Sequence, residues 1–371
     1  MGEISAQNAN AALSNVAPND VAAAIFGCAS IELSPDERDF FRAAKPWGFI
    51  LFARNIGDPD EIRRLVGDMR EAAGWAAPVL IDQEGGRVAR LRGPIWRDWP
   101  PVGDWCAAAD SGDLGEDALL EALRLRYRLT GLELASLGVD VDCAPLLDLR
   151  LPGYHEIMGD RALGATPESV GRRAEAIAQG LRDAGALPVI KHLPGHGRAT
   201  VDSHHELPVV DEPREVLSRT DFSAFKALNQ EGLGMTAHVV FTALDAERPA
   251  TLSPIVIEEI VRGEIGFDGL LMSDDVGMRA LSGSETEKAR LCLAAGVDLV
   301  LHCSGVFEEM KAAFEGVEAL GAAGRSRSDR ALAGRGQVKP CDEEALEARL
   351  SELVGWRRER GAAQSMSGAG V

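Results

Sequence analysis

The chain is 371 residues long, 46% apolar and 26% charged, with a formal net charge of −19. That charge argues against nucleic acid or an anionic membrane as a standing partner, and no run approaches the ~20 apolar residues of a membrane helix. Six cysteines without a CxxC pair, several of them in apolar stretches, suit a reducing compartment better than a disulfide framework. The N-terminus lacks the basic and apolar regions of a signal peptide, so the expected location is the cytoplasm.

In chain order, short apolar, β-branched runs recur: AAAIFGCA (22–29), GFILFA (48–53), PVLIDQE (78–84), VDVDCAPLLD (139–148), LPVIKHL (187–193), GMTAHVVF (234–241), LLMSDD (270–275) and DLVLHC (298–303). Between them lie stretches such as DPDEIRRLVGDMREAAG and PESVGRRAEAIAQGLRDAG, which open on Asp or Pro-Glu and close on glycine, as capped amphipathic helices do. Eight strands alternating with helices predict a parallel sheet, most simply a closed (β/α)₈ barrel. An open doubly wound sheet is the alternative, but its glycine-rich phosphate fingerprints are absent. The expected organisation is a tail over 1–20, a single barrel over 21–320, a polar linker or insertion over 321–338, and a C-terminal helix with its tail over 339–371. That helix, DEEALEARLSELVGWRRER, carries acids at its start and arginines at its end, in keeping with the helix dipole.

Most of the apolar runs turn polar at their C-terminal ends: Asp82 and Glu84, Asp148, Lys191 and His192, His238, Asp274 and Asp275, His302. In a parallel barrel all these ends meet on one face, where such enzymes keep their chemistry. A single strand leaving the core through polar residues means little; six doing so point to a shared site.

The segment KHLPGHGRATVDSHHELP (191–208) concentrates four of the seven histidines. His192 and His196 stand at helical metal-ligand spacing, yet Pro194, Gly195 and Gly197 forbid that helix. A metal site from Asp202, His204 and His205 is the lesser reading. Asp202 and His204 are two apart, so a tight turn folds the carboxylate onto the imidazole, fixing its tautomer and raising its basicity. Asp274, ending an unbroken apolar run, is the candidate nucleophile; Asp275 reads better as a helix N-cap. A carboxylate nucleophile with a separate acid/base group is the arrangement of a retaining glycosidase. A neutral imidazole beside an ionised Asp avoids the conflict of two close carboxylates.

IDQEGGRVARL, KHLPGHGRATVDSHHELP and MSDDVGM together resemble the bacterial β-N-acetylhexosaminidases of glycoside hydrolase family three, over about residues 20–320. The resemblance implies a (β/α)₈ barrel without a second domain. It implies Asp274 as nucleophile, His204 as acid/base with Asp202 as its partner, and Asp82, Arg90, Arg161, Lys191 and His192 as sugar-binding residues. It also implies a monomer without metal or cofactor, acting on a small carbohydrate: a GlcNAc-containing muropeptide from cell-wall recycling. Other readings stay open: a β-glucosidase or xylosidase, a phosphate-dependent glycosidase, attack by the substrate's own acetamido group, or an inactive sugar-binding barrel.

Overall fold

The computed structural model describes residues 13–151, 158–201, 203 and 206–358. Eight parallel strands close into a barrel: β1 (Ala22–Phe26), β2 (Pro46–Leu51), β3 (Val79–Ile81), β4 (Val141–Asp142), β5 (Leu187–Leu193), β6 (Leu233–Thr236), β7 (Leu270–Asp275) and β8 (Leu299–His302). They follow one another around the barrel in sequence order, β8 returning to β1 with Ile25 opposite Leu301. Each predicted apolar run supplies one barrel strand. GMTAHVVF supplies more: after β6 it leaves the barrel, and its Val240–Phe241 pairs with Val209–Val210 in a separate two-stranded ladder.

The strands read as continuous apolar runs because both faces are covered, by core side chains within and helices without. All seven residues of β5 are buried. The helices begin where capping chemistry begins. Asp58 accepts from the amides of Asp60 and Glu61 to start α2 (Pro59–Ala73), and Gly74 ends it at φ +76°. Thr166 accepts from the Ser169 amide to start α5 (Pro167–Asp183). Between these two lie α3 (Val102–Ser111) and α4 (Glu116–Ser136); α1 is Pro35–Ala44. Shorter helices α6 (Arg214–Arg219) and α7 (Asp221–Lys226) follow β5, then a π-helical segment over Val256–Glu264 before β7. After β7 come α8 (Glu285–Ala294), α9 (Phe307–Phe314), α10 (Ala322–Leu332) and α11 (Glu343–Val354). Among the described residues no helix is long and apolar enough to cross a membrane.

Three sequence expectations need correction. The segment 321–338 is not a plain polar linker, since 322–332 form α10; its Ser328 is fully buried and accepts a hydrogen bond from Trp47 Nε1 at 2.8 Å. Small residues let the helix lie close to the barrel, so composition alone misled. The arginines do not sit in the last turn of α11, because Gly355 adopts φ +68° and ends the helix before them. Asp275 is not a helix N-cap: Ser284 caps α8, whereas Asp275 Oδ1 accepts from the amides of Gly277 (2.9 Å) and Cys303 (3.1 Å), closing a turn and tying β7 to β8. The helix α11 packs against α4, and its Glu343 and Glu347 both bind Arg97 at 2.8 Å.

Candidate active site

The strand C-termini surround a cleft of about 450 Å³. Six of the eight residues to which the resemblance gives a role line it: Asp82, Arg90, Arg161, Lys191, His192 and Asp274. A roomier hollow of about 530 Å³ opens near the N-terminal ends of β5 and β6. Its charged groups are paired among themselves or with neighbours, Arg330 with Asp268 and Lys339 with Asp183, and it holds none of the strand-end residues. The cleft at the C-terminal face is therefore the candidate site.

One side of the cleft is a charge network. Lys191, only 2% exposed, places Nζ 2.9 Å from Asp82 and 2.6 Å from Glu84. Arg90 donates to the other oxygen of Asp82 at 3.0 Å, and Arg161 grips Glu84 with two bonds of 2.8 Å. Burial opposes the charge on Asp82, yet Lys191 and Arg90 overcome it and hold the carboxyl below its usual range. Glu84 is likewise driven down, against its burial, by Arg161 and Lys191. Both carboxylates are acceptors fixed in place, and Asp82 remains at the cleft wall.

The IDQEGG turn that carries this pair needs its glycines. Gly85 and Gly86 have φ of +94° and +54°, and a Cβ on Gly85 would collide with Arg126 Nη2. Arg126 is completely buried against Trp99, Trp105 and Tyr127, with its guanidinium carbon 5.1–5.5 Å from the three ring centres. It donates to the Glu84 carbonyl at 2.6 Å, as does the Tyr127 hydroxyl at 2.9 Å.

His192 and His196 share Asp148. The Asp148 carboxylate meets His192 Nδ1 at 2.7 Å and accepts from the His196 amide at 2.6 Å. Burial pushes the carboxyl of Asp148 up, but the two histidines outweigh it and its pKa is lowered. His196 Nε2 faces Ser203 Oγ at 3.1 Å, and burial pushes its pKa down to about 4, so the ring is neutral near pH 7. Asp274 stands at the end of β7, its Oδ1 accepting from the Asp275 amide at 2.8 Å. Burial raises the pKa of the adjacent Asp275. The remaining wall is mixed: Phe52, Met158, Met235 and Met278 give apolar surface, with Arg54 and Arg87 among the polar lining.

Asp202, His204 and His205 lie outside the described residues. Among those described, no group of three or more His, Cys, Asp or Glu side chains converges to hold a metal ion. His238, two residues past β6, and His302, the last residue of β8, are fully buried and do not line the cleft. The supporting residues Glu84 and Asp148 showed in the sequence as polar strand ends; Arg54, Phe52 and the methionines gave no such signal.

A barrel with carboxylates, cations and imidazoles gathered in one strand-end cleft is built to bind and work on a small polar substrate. The family description "Glycosyl hydrolase family 3 N terminal domain" matches residues 34–331, and the chain belongs to that family. It is 38% identical over 284 residues to a "Beta-hexosaminidase" of Alkalilimnicola ehrlichii, covering 76% of this chain and 80% of the relative. It is 36% identical over 327 residues to that of Methylococcus capsulatus, covering 87% and 94%. Among solved structures it is similar to native NagZ from Neisseria gonorrhoeae, with TM-score 0.79, 27% identity, and coverage of 91% of this chain and 99% of that one. The same protein in complex with N-trifluoroacetyl-D-glucosamine matches equally well.

Proposed function

We propose that this chain is a retaining exo-β-N-acetylglucosaminidase that removes terminal, non-reducing β-linked GlcNAc. The observation that carries the reading is the pairing, in one cleft, of a strand-end carboxylate, Asp274, with a hydroxyl-binding set, Asp82, Arg90, Arg161, Lys191 and His192. Asp82 accepts from sugar hydroxyls, its charge secured by Lys191 and Arg90. Lys191 and the arginines donate to them. The names of the curated relatives and the glucosamine derivative bound by the Neisseria protein support an N-acetylhexosamine as the sugar.

In the first step Asp274 Oδ2 attacks the anomeric carbon while His204 gives its proton to the leaving oxygen, producing a glycosyl ester on Asp274 and the freed alcohol. In the second, His204 takes a proton from water, whose oxygen attacks the same carbon from the opposite face and releases Asp274. Two inversions return the original β configuration. Asp202 holds His204 in the tautomer that this exchange needs. The substrate is a muropeptide-derived GlcNAc compound of cell-wall recycling, handled by a cytoplasmic monomer without metal or cofactor.

Rates on nitrophenyl β-N-acetylglucosaminide and nitrophenyl β-glucoside test the reading. Strong preference for the acetamido sugar is the expected result. Preference for the glucoside moves the chain among β-glucosidases, a rate that rises with phosphate and yields sugar phosphate makes it a phosphorylase, and silence on both sugars leaves a binding protein.

A further inference from the structure

His238 lies two residues beyond β6, is fully buried, and takes no part in lining the cleft. Its Nε2 is 2.9 Å from the backbone carbonyl of Asp275, an acceptor only, so that nitrogen bears the proton. Burial lowers the pKa of the ring against the pull of Asp274 and Asp275, which leaves it neutral and Nδ1 an acceptor. Nδ1 faces Thr251 Oγ1 at 2.8 Å, and Thr251 Oγ1 is 2.8 Å from Thr236 Oγ1. Thr236 Oγ1 in turn accepts from the backbone amide of Asp274 at 3.4 Å.

One arrangement of hydroxyl protons satisfies the whole chain. The Asp274 amide donates to Thr236, Thr236 to Thr251, Thr251 to His238 Nδ1, and His238 Nε2 to the Asp275 carbonyl. The single hydroxyl proton of Thr251 is shared between His238 Nδ1 at 2.8 Å and the Ala237 carbonyl at 3.0 Å, the shorter contact being the one to the ring. Thr236, Thr251 and His238 are all fully buried, so no water competes. The bonds start at the peptide before Asp274 and end at the peptide after Asp275. The amide between them is the one that binds Asp274 Oδ1.

We propose that His238 is a positioning residue for the nucleophile: with Thr251 and Thr236 it fixes both peptides flanking Asp274–Asp275 and so aims the Asp274 carboxylate at the anomeric carbon. The ring of bonds acts on the reaction through backbone orientation, without touching the sugar. This rests on Asp274 being the nucleophile.

The test compares Thr251→Val, which keeps shape and loses the hydroxyl, with Thr251→Ser, which restores it. The readouts are the burst rate of the first chemical step on nitrophenyl β-N-acetylglucosaminide and the Kd for N-acetylglucosamine. The valine variant should lower the burst rate by roughly tenfold to a hundredfold, as misaimed reacting groups do. Its Kd should stay within about twofold, and serine should recover the rate to within about threefold. An unchanged burst rate in Thr251→Val overturns the proposal, and so do parallel losses in rate and Kd that serine fails to repair. If Thr251→Val does not fold, Thr236→Val is judged by the same two readouts. Asp274→Gly with added azide separates the layers. Azide rescue beside an unaffected Thr251→Val removes only the positioning role, whereas failed rescue removes the nucleophile assignment itself.

Discussion

His192 Nδ1 lies 2.7 Å from Asp148 Oδ2, and this contact decides which nitrogen of the imidazole meets the cleft. A carboxylate only accepts, so Nδ1 carries a proton and Nε2 is the ring nitrogen left free of this carboxylate in a residue that lines the cleft. In Asp148→Asn the one remaining carbonyl oxygen is held by the His196 amide, so the side-chain NH2 faces His192 Nδ1 and donates, which favours the other tautomer. The expected loss in kcat/KM is about 10–100-fold on nitrophenyl β-N-acetylglucosaminide, with the fold preserved by circular dichroism. Unchanged kinetics would separate this pair from substrate binding.

Lys191 neutralises two buried carboxylates at once. Lys191→Met leaves Asp82 and Glu84 facing each other with only their arginines, a loss of about 3–5 kcal/mol for a broken buried pair. Asp82 and Glu84 have folded pKa values below their unfolded ones. Their stabilisation is therefore present above about pH 4 and fades as pH falls through the folded values. In the variant that stabilisation shrinks, so acid unfolding should begin at a higher pH than in the wild type. An acid transition at the same pH would show that Lys191 is not the counter-charge it is taken to be.

Asp142 behaves in the opposite sense. It is fully buried at the end of β4, accepts from the Gln83 amide at 3.0 Å through Oδ1, and among the described residues finds no partner for Oδ2. Burial pushes its pKa up to about 7. A folded pKa raised above the unfolded value of about 3.9 favours folding below that value and loses the advantage as pH rises to about 7. Asp142→Asn removes the penalty, so its Tm relative to wild type should climb between about pH 4 and about pH 7 and level off above that. A Tm difference that is flat across this range would place the charge elsewhere.

Much of the fold and site was legible because barrel chemistry leaves a regular trace. A parallel strand buried on both faces is an apolar run, and its polar end marks the catalytic face; Asp82, Lys191, His192 and Asp274 follow from that rule alone. Capped starts such as Asp58 and Thr166 gave helices for the same local reason. What stayed hidden depends on tertiary partners. Nothing near Thr236 or Thr251 reveals that the two hydroxyls meet, and nothing in Arg126 reveals its aromatic cage. Helix α10 was missed because its signal is a single hydroxyl, Ser328, placed under an indole 281 positions away in sequence.

That helix yields a prediction about stability. Ser328→Ala orphans the buried Trp47 Nε1 and should cost about 1–3 kcal/mol, read as a shift in the urea midpoint with unaltered kcat. No shift would return 322–332 to the status of a dispensable extension.

The proposed reaction stands on a covalent bond between Asp274 and the sugar. Its most direct test is to hold the intermediate with a fluorinated glycosyl substrate that slows the second step, digest the protein, and locate the added mass. One sugar is expected on the peptide containing LLMSDDVGM, attached at Asp274, and none on the Asp274→Ala protein. An enzyme that turns over GlcNAc substrates without ever carrying the sugar, or that carries it on another residue, would contradict it.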